Sequence, residues 1–176
     1  MLINLTDVFS SEGKVVQMKV DLELVTYENQ HVTYTITDKT PISVTFSNTG
    51  NGKAHMEGHV KLTMILSCDR CLKDVIHEFD LSFTEELVSP EVSDDLSEDM
   101  EDGRDFMEGY SINIEDLISN EILINWPTKV LCSEVCKGIC KQCGKDLNEG
   151  ECGCDTFVPD PRMAVIKDIF NANKEV

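Results

Sequence analysis

Apolar and polar residues alternate with period two through most of the first half of the chain. Val16, Met18, Val20, Leu22 and Leu24 hold the even positions, while Gln17, Lys19, Asp21 and Glu23 hold the odd ones. Val32, Tyr34 and Ile36 alternate with Thr33, Thr35 and Thr37, and Ile42, Val44 and Phe46 repeat the pattern. A fourth run passes from Ala54 through Met56, Val60, Leu62, Met64 and Leu66. A fifth, of opposite parity, passes through Val75, His77, Phe79, Leu81 and Phe83. Successive side chains of a strand point to opposite faces, so these runs predict five strands, each packed on one face and wet on the other. Turn-forming residues separate them at Glu28-Asn29-Gln30, at Asp38 to Pro41 and at Asn48 to Gly52. The prediction is an antiparallel meander, curled into a sandwich or partial barrel.

After residue 110 the period changes. Ile114, Leu117, Ile118 and Ile122 form the stripe of an amphipathic helix. Asn113 is its candidate N-cap, Glu115 suits the positive helix end, and Pro127 stops it at Trp126, the only tryptophan. This helix, over 113–125, is expected to cover the open face of the sheet. From Cys132 to Cys154 the chain has few large apolar residues and cannot bury enough surface to fold alone. Asp160-Pro161-Arg162 then reads as an N-cap with proline at the first helical position, opening a short helix with Met163, Ile166 and Phe170 on one face. The expected class is therefore α+β. Residues 1–130 form the five-strand β body with its covering helix, and 131–176 form a cysteine-rich module with a C-terminal helix.

Charge narrows the choice of partners. The chain carries −18, and residues 85–108 alone hold eleven acids against Arg104. Such a field repels phosphate backbones, whose binding depends on Lys and Arg displacing counterions, and favours basic proteins. The stretch 85–110 is expected to be an exposed acidic loop, either solubilising or a docking site for a basic partner. No segment approaches the roughly 20 apolar residues that span a bilayer. Met1 to Gly13 lacks the basic and apolar regions of a secretory signal, so a cytoplasmic location with reduced thiols is expected.

The eight cysteines carry the candidate chemistry. Cys68 and Cys71 flank Asp69-Arg70 between the fourth and fifth strands, and the others run Cys132-x3-Cys136-x3-Cys140-x2-Cys143-x8-Cys152-x-Cys154. Four thiolates close a tetrahedral structural zinc site, and eight make two sets. Cys140, Cys143, Cys152 and Cys154 are the first candidate set, with Gly144 and Gly153 permitting the turns that bring backbone amides to sulfur. Cys68, Cys71, Cys132 and Cys136 are the second. One or two zinc ions are expected; iron–sulfur ligation, disulfides and free thiols are the alternatives.

Cys-x-x-Cys also serves thiol exchange, but that motif normally opens a helix, whereas strands flank this one. His55 and His59 lie four apart, which on one strand face separates them by roughly 13 Å, so solvent exposure is expected instead of chelation. No phosphate-binding glycine loop, nucleophile elbow or His-Glu-x-x-His motif is present, and no catalytic constellation emerges. From Leu131 onward six bases face eight acids, which is not the balance of a ribbon that grips phosphates.

Cys68-Asp69-Arg70-Cys71-Leu72 after a β run, Ile122-Leu123-Ile124-Asn125-Trp126-Pro127 at a helix end, Cys136 to Asn148, and Cys152-Gly153-Cys154 leading to Asp160-Pro161-Arg162-Met163-Ala164-Val165 occur in this order. With them the chain resembles the YceD family, the large ribosomal RNA subunit accumulation proteins, in a longer cysteine-rich form. The resemblance implies a non-enzymatic cytosolic factor needed for accumulation of 23S rRNA. It carries over Cys68, Arg70 and Cys71 as site residues, with Arg70 as a partner contact. Together with the acidic charge, it points to action through a ribosomal protein or an rRNA-processing factor, with limited direct RNA contact. An interaction adaptor with no ribosomal role and a thiol oxidoreductase are the rival readings.

Overall fold

The computed structural model describes residues 1–29, 31–93 and 106–154. The chain divides into two compact units, Met1–Ser67 with Asp74–Val130, and Cys68–Lys73 with the chain from Leu131 onward.

The first unit is mostly antiparallel sheet. Its elements are β1 (Leu2–Asn4), α1 (Thr6–Phe9), β2 (Val15–Val20), β3 (Thr26–Asn29), β4 (Val32–Lys39), β5 (Ile42–Gly50), β6 (Lys53–Ser67), β7 (Asp74–Val88), α2 (Pro90–Ser93), β8 (Met107–Glu108), β9 (Ser111–Asn113) and α3 (Ile114–Ile124). The five predicted runs lie on β2, β4, β5, β6 and β7, except that the first outlasts its strand, with Leu22 and Leu24 beyond the end of β2 at Val20. The alternation works as expected: Ala54, Met56, Val60, Leu62, Met64 and Leu66 of β6 are buried, and so are Phe79, Leu81, Phe83 and Leu87 of β7. The parity switch between those strands follows from the register, Val60 facing Leu81 and Leu62 facing Phe79.

Asp38 to Pro41 is not a reversal. β4 and β5 lie end to end along β6, both antiparallel to it, and β2 and β3 lie end to end beyond them. Proline has no N–H to give a ladder, and Thr40 spans the break. Its N–H bonds the Lys61 carbonyl at 2.9 Å, and its hydroxyl accepts the Lys61 N–H at 3.0 Å. The chain does reverse between β5 and β6, where Gly50, Asn51 and Gly52 all take positive φ.

β3 makes a sixth strand of this sheet, and β1, β9 and β8 form a separate three-stranded sheet. These pieces are two to four residues long, too short for periodicity to register. The expected acidic loop begins later than residue 85. Leu87, 1% exposed, keeps β7 in its register through Val88, and Phe106 and Ile112 are buried on the far side. Residues 94–105 of that stretch, and the predicted helix after Asp160, lie outside the described residues.

α3 matches the predicted covering helix. The Asn113 side-chain oxygen accepts the Glu115 N–H at 3.2 Å, and Ile114, Leu117, Ile118 and Ile122 are buried. Trp126 packs on Tyr34, Tyr27 and Phe79, with ring centroids 4.9, 5.6 and 6.0 Å away. Among the described residues no helix is long and apolar enough to cross a membrane.

Candidate metal centre

The second unit is built around sulfur. Among the described residues, its buried members of the apolar class are Cys68, Cys71, Cys136 and Cys140. In Cys68–Lys73 the chain doubles back within six residues. The Cys68 N–H bonds the Lys73 carbonyl at 2.8 Å, the Leu72 N–H bonds the Cys68 carbonyl at 2.9 Å, and Leu72 takes φ +61° to close the turn. The Cys140 N–H bonds the Lys145 carbonyl at 2.8 Å and the Gly144 N–H bonds the Cys140 carbonyl at 2.9 Å, with Gly144 at φ +73°. Both Cys-x-x-Cys segments thus fold as tight turns.

These turns gather the cysteines into two groups of four, Cys68, Cys71, Cys132 and Cys136, and Cys140, Cys143, Cys152 and Cys154. The four sulfurs of each group lie within 4.8 Å of one another. They are the two predicted sets, including the set whose halves are 61 residues apart in sequence. Cys68 and Cys136 sulfurs are 3.9 Å apart, and those of Cys71 and Cys132 are 3.4 Å apart. Tetrahedral bonds of 2.3 Å to one ion place sulfurs about 3.8 Å apart, whereas a disulfide needs about 2.05 Å. All eight cysteines are free. The donor set and its spacing fit a metal ion in each group.

Polar groups around the first set favour thiolate. Burial pushes the Cys68 thiol up, but the backbone N–H groups of Arg70, Cys132 and Cys71 outweigh it and bring it to about 6. The Cys132 N–H is 3.3 Å from that sulfur. The Asn148 side-chain amide donates to the Cys136 sulfur at 3.4 Å and leads the causes that lower that thiol. Cys132 goes the other way, to about 12, first through its contact with the Cys71 sulfur. In the second set, backbone N–H groups led by that of Cys143 lower Cys140 to about 6, while contact first with the Cys143 sulfur raises Cys154 to about 12. Four thiolates this close repel one another, so some hold protons until a cation replaces them. The first set is the more enclosed, since Cys143 is exposed and Cys152 and Cys154 are half-buried.

Residues that spacing did not single out tie the unit together. Lys73 pairs with Asp146 at 2.6 Å and with Glu149 at 3.1 Å, and the ammonium holds the Asp146 carboxyl below the usual carboxylate range. Arg70 is exposed, yet one guanidinium nitrogen donates to the Cys136 carbonyl at 2.6 Å, and its own carbonyl accepts the Ile139 N–H at 3.1 Å. A Cβ on Gly138 would sit 2.9 Å from that Arg70 carbonyl. The histidines stay apart from metal groups among the described residues, with His59 on Asp80 at 2.7 Å and His55 on Glu57 at 3.3 Å.

The profile of the family described as large ribosomal RNA subunit accumulation protein YceD matches residues 56–170, more than half of the chain and both cysteine groups. The chain belongs to the YceD family. Among curated members it is similar to the Arabidopsis thaliana protein named large ribosomal RNA subunit accumulation protein YCED homolog 1, chloroplastic. The identity is 26% over 179 residues, covering 85% of this chain and 52% of that protein. It is also similar to the Bacillus subtilis (strain 168) uncharacterized protein YlbN, 32% identical over 113 residues, covering 64% of this chain and 63% of that protein. The chain thus spans between half and two thirds of the length of these relatives. No solved structure matches it.

Proposed function

We propose that this YceD-family chain is a non-enzymatic, zinc-bound factor that supports accumulation of 23S rRNA in the large ribosomal subunit. The observation that carries the reading is the family match, which runs from β6 through both cysteine groups. Zinc fits because four thiolates fill all its tetrahedral positions. Such closed sites leave no open position for a substrate, so the metal's work is to fold a segment that lacks an apolar core.

The net charge of −18 opposes coating of rRNA and supports action through a basic ribosomal protein or processing factor, which this reading places in the cytoplasm. Arg70, exposed at the Cys68–Cys71 turn, is the side chain through which that turn meets its partner. Depleting the protein from its own cell should lower 23S relative to 16S rRNA, and an unchanged ratio would overturn the reading. Purified large-subunit proteins should bind the full chain at physiological salt. Binding to naked 23S fragments alone would remove the protein-partner mechanism.

A further inference from the structure

β7 is a long outer strand. It pairs with β6 through all fifteen of its residues, and no described residue pairs with its other side. The Ser89 N–H bonds the Gly52 carbonyl at 2.8 Å, in register with the β6–β7 ladder. Hydrogen-bonded and open pairs alternate along an antiparallel ladder. The odd-numbered residues of β7 therefore bond β6, while Ile76, Glu78, Asp80, Ser82, Thr84 and Glu86 aim N–H and C=O outward. The same six side chains are exposed. Among the described residues no backbone hydrogen bond reaches these outward groups.

An open edge of this length invites another strand, and charge decides which. β7 carries Asp74, Glu78, Asp80, Glu85 and Glu86 and neither Lys nor Arg. Two copies paired edge to edge would set like charges beside one another, which disfavours self-association. Among the described residues, Asp80 is the acid of β7 with an ion pair within the sheet, to Lys61 at 2.7 Å, and its other oxygen lies 2.7 Å from His59 Nε2. Glu85 lies near Glu121 of α3, a carboxylate only 6% exposed, and neither has an ion-pair partner among the described residues. At the opposite side of the sheet β2 is six residues long and carries Lys19 with no acid, so it offers no comparable field.

We propose that the outer edge of β7 takes an extended basic peptide segment of a protein partner as an added strand. Main-chain bonds to the six outward residues supply attachment, and Lys or Arg side chains meeting the exposed Glu78 and Glu86 supply selectivity. This deepens the proposed action through a basic protein and rests on that reading for its biological partner.

The test uses the full metal-bound chain and a synthetic ten-residue peptide alternating lysine and valine, with a glutamate–valine peptide as control. The lysine peptide should slow amide exchange at the even-numbered residues of β7 by about tenfold, and the control should not. Ser82→Pro removes an outward N–H at no cost to the β6 ladder and should weaken binding about tenfold. Glu78→Lys with Glu86→Lys leaves the backbone alone and should weaken it comparably. Binding with β7 exchange unchanged, or equal affinity of the parent and the doubly reversed chain, overturns the proposal. If large-subunit proteins bind Ser82→Pro as tightly as the parent, the edge is wrong and the basic-partner reading survives. If they do not bind the parent at all, that reading falls, while the lysine peptide still decides the edge.

Discussion

At Gly58 the sheet has no room for a side chain. A Cβ there would lie 2.2 Å from the ring of Phe83, which faces Gly58 across the β6–β7 ladder and fills the space that glycine leaves. Gly58→Ala should therefore destabilise by about 1–3 kcal/mol, the usual cost of overpacking. The same change in a Phe83→Leu background should cost less, and equal costs by denaturant unfolding would show that the ring is not the obstacle. Asn148 makes a different kind of contact, since its amide reaches the Cys136 sulfur and its oxygen accepts the Lys137 N–H at 2.8 Å. Groups that orient and hydrogen-bond a ligand atom typically contribute ten- to a hundredfold in metal affinity. Asn148→Ala should weaken zinc by about that factor in competition with a chromophoric chelator, leaving the sheet signal of the first unit intact. No spacing rule finds either residue: Gly58 breaks an alternating run without comment, and Asn148 follows Leu147 as an ordinary polar residue.

At the scale of the element, α3 carries a mismatch on its inner face. Glu121 is buried beside Ile118 and Ile122, and burial first, then the nearby Glu85, pushes its carboxyl above the ordinary 4.5. A carboxyl raised in the folded state contributes its full share of stability below the unfolded value and loses it as pH climbs through the folded value. The chain should therefore lose stability upward from pH 4.5 through this group. Glu121→Gln should raise Tm at pH 7 and change nothing near pH 4. A variant less stable than its parent at pH 7 would contradict this. The elements themselves were readable where they are long. Period two found β6 and β7, whose buried residues fall on a single parity, and period 3.6 with an Asn cap found α3. The reversal expected at Pro41 was misplaced because local turn chemistry cannot tell a strand that stops from one that jumps a gap, and Thr40 closes that gap through Lys61. β1, β8 and β9 owe their pairing to partners about a hundred residues distant or to a two-residue ladder, so neither signal is local.

On the scale of the whole molecule the two units draw their stability from different sources. The first has a continuous core of Phe46, Met56, Leu62, Leu81, Ile118 and their neighbours, while among the described residues the buried side chains of the second are cysteines. Sequence spacing assigned all eight sulfurs to their groups because ligand pairs must be near neighbours in the chain and four must meet. It did not reveal the Lys73–Asp146 and Arg70–Cys136 ties, which depend on how the 68–73 turn meets the 131–154 segment inside that unit. This division makes metal removal selective. A chelator strong enough to strip tetrathiolate zinc should release two ions per chain and abolish exchange protection at Cys68–Lys73 and 131–154. It should leave the β-sheet circular dichroism and the Trp126 fluorescence of the first unit nearly unchanged, because Trp126 packs on Tyr27, Tyr34 and Phe79 and on the hydrophobic core of that unit. The more open Cys140 group should empty before the enclosed Cys68 group, so alkylation followed by mass spectrometry at partial chelation should label Cys143 ahead of Cys71. Loss of the sheet signal together with the first ion would show that the core of the first unit depends on the metal. Retention of protection in the 131–154 segment with no metal bound would show that sulfur packing alone holds it.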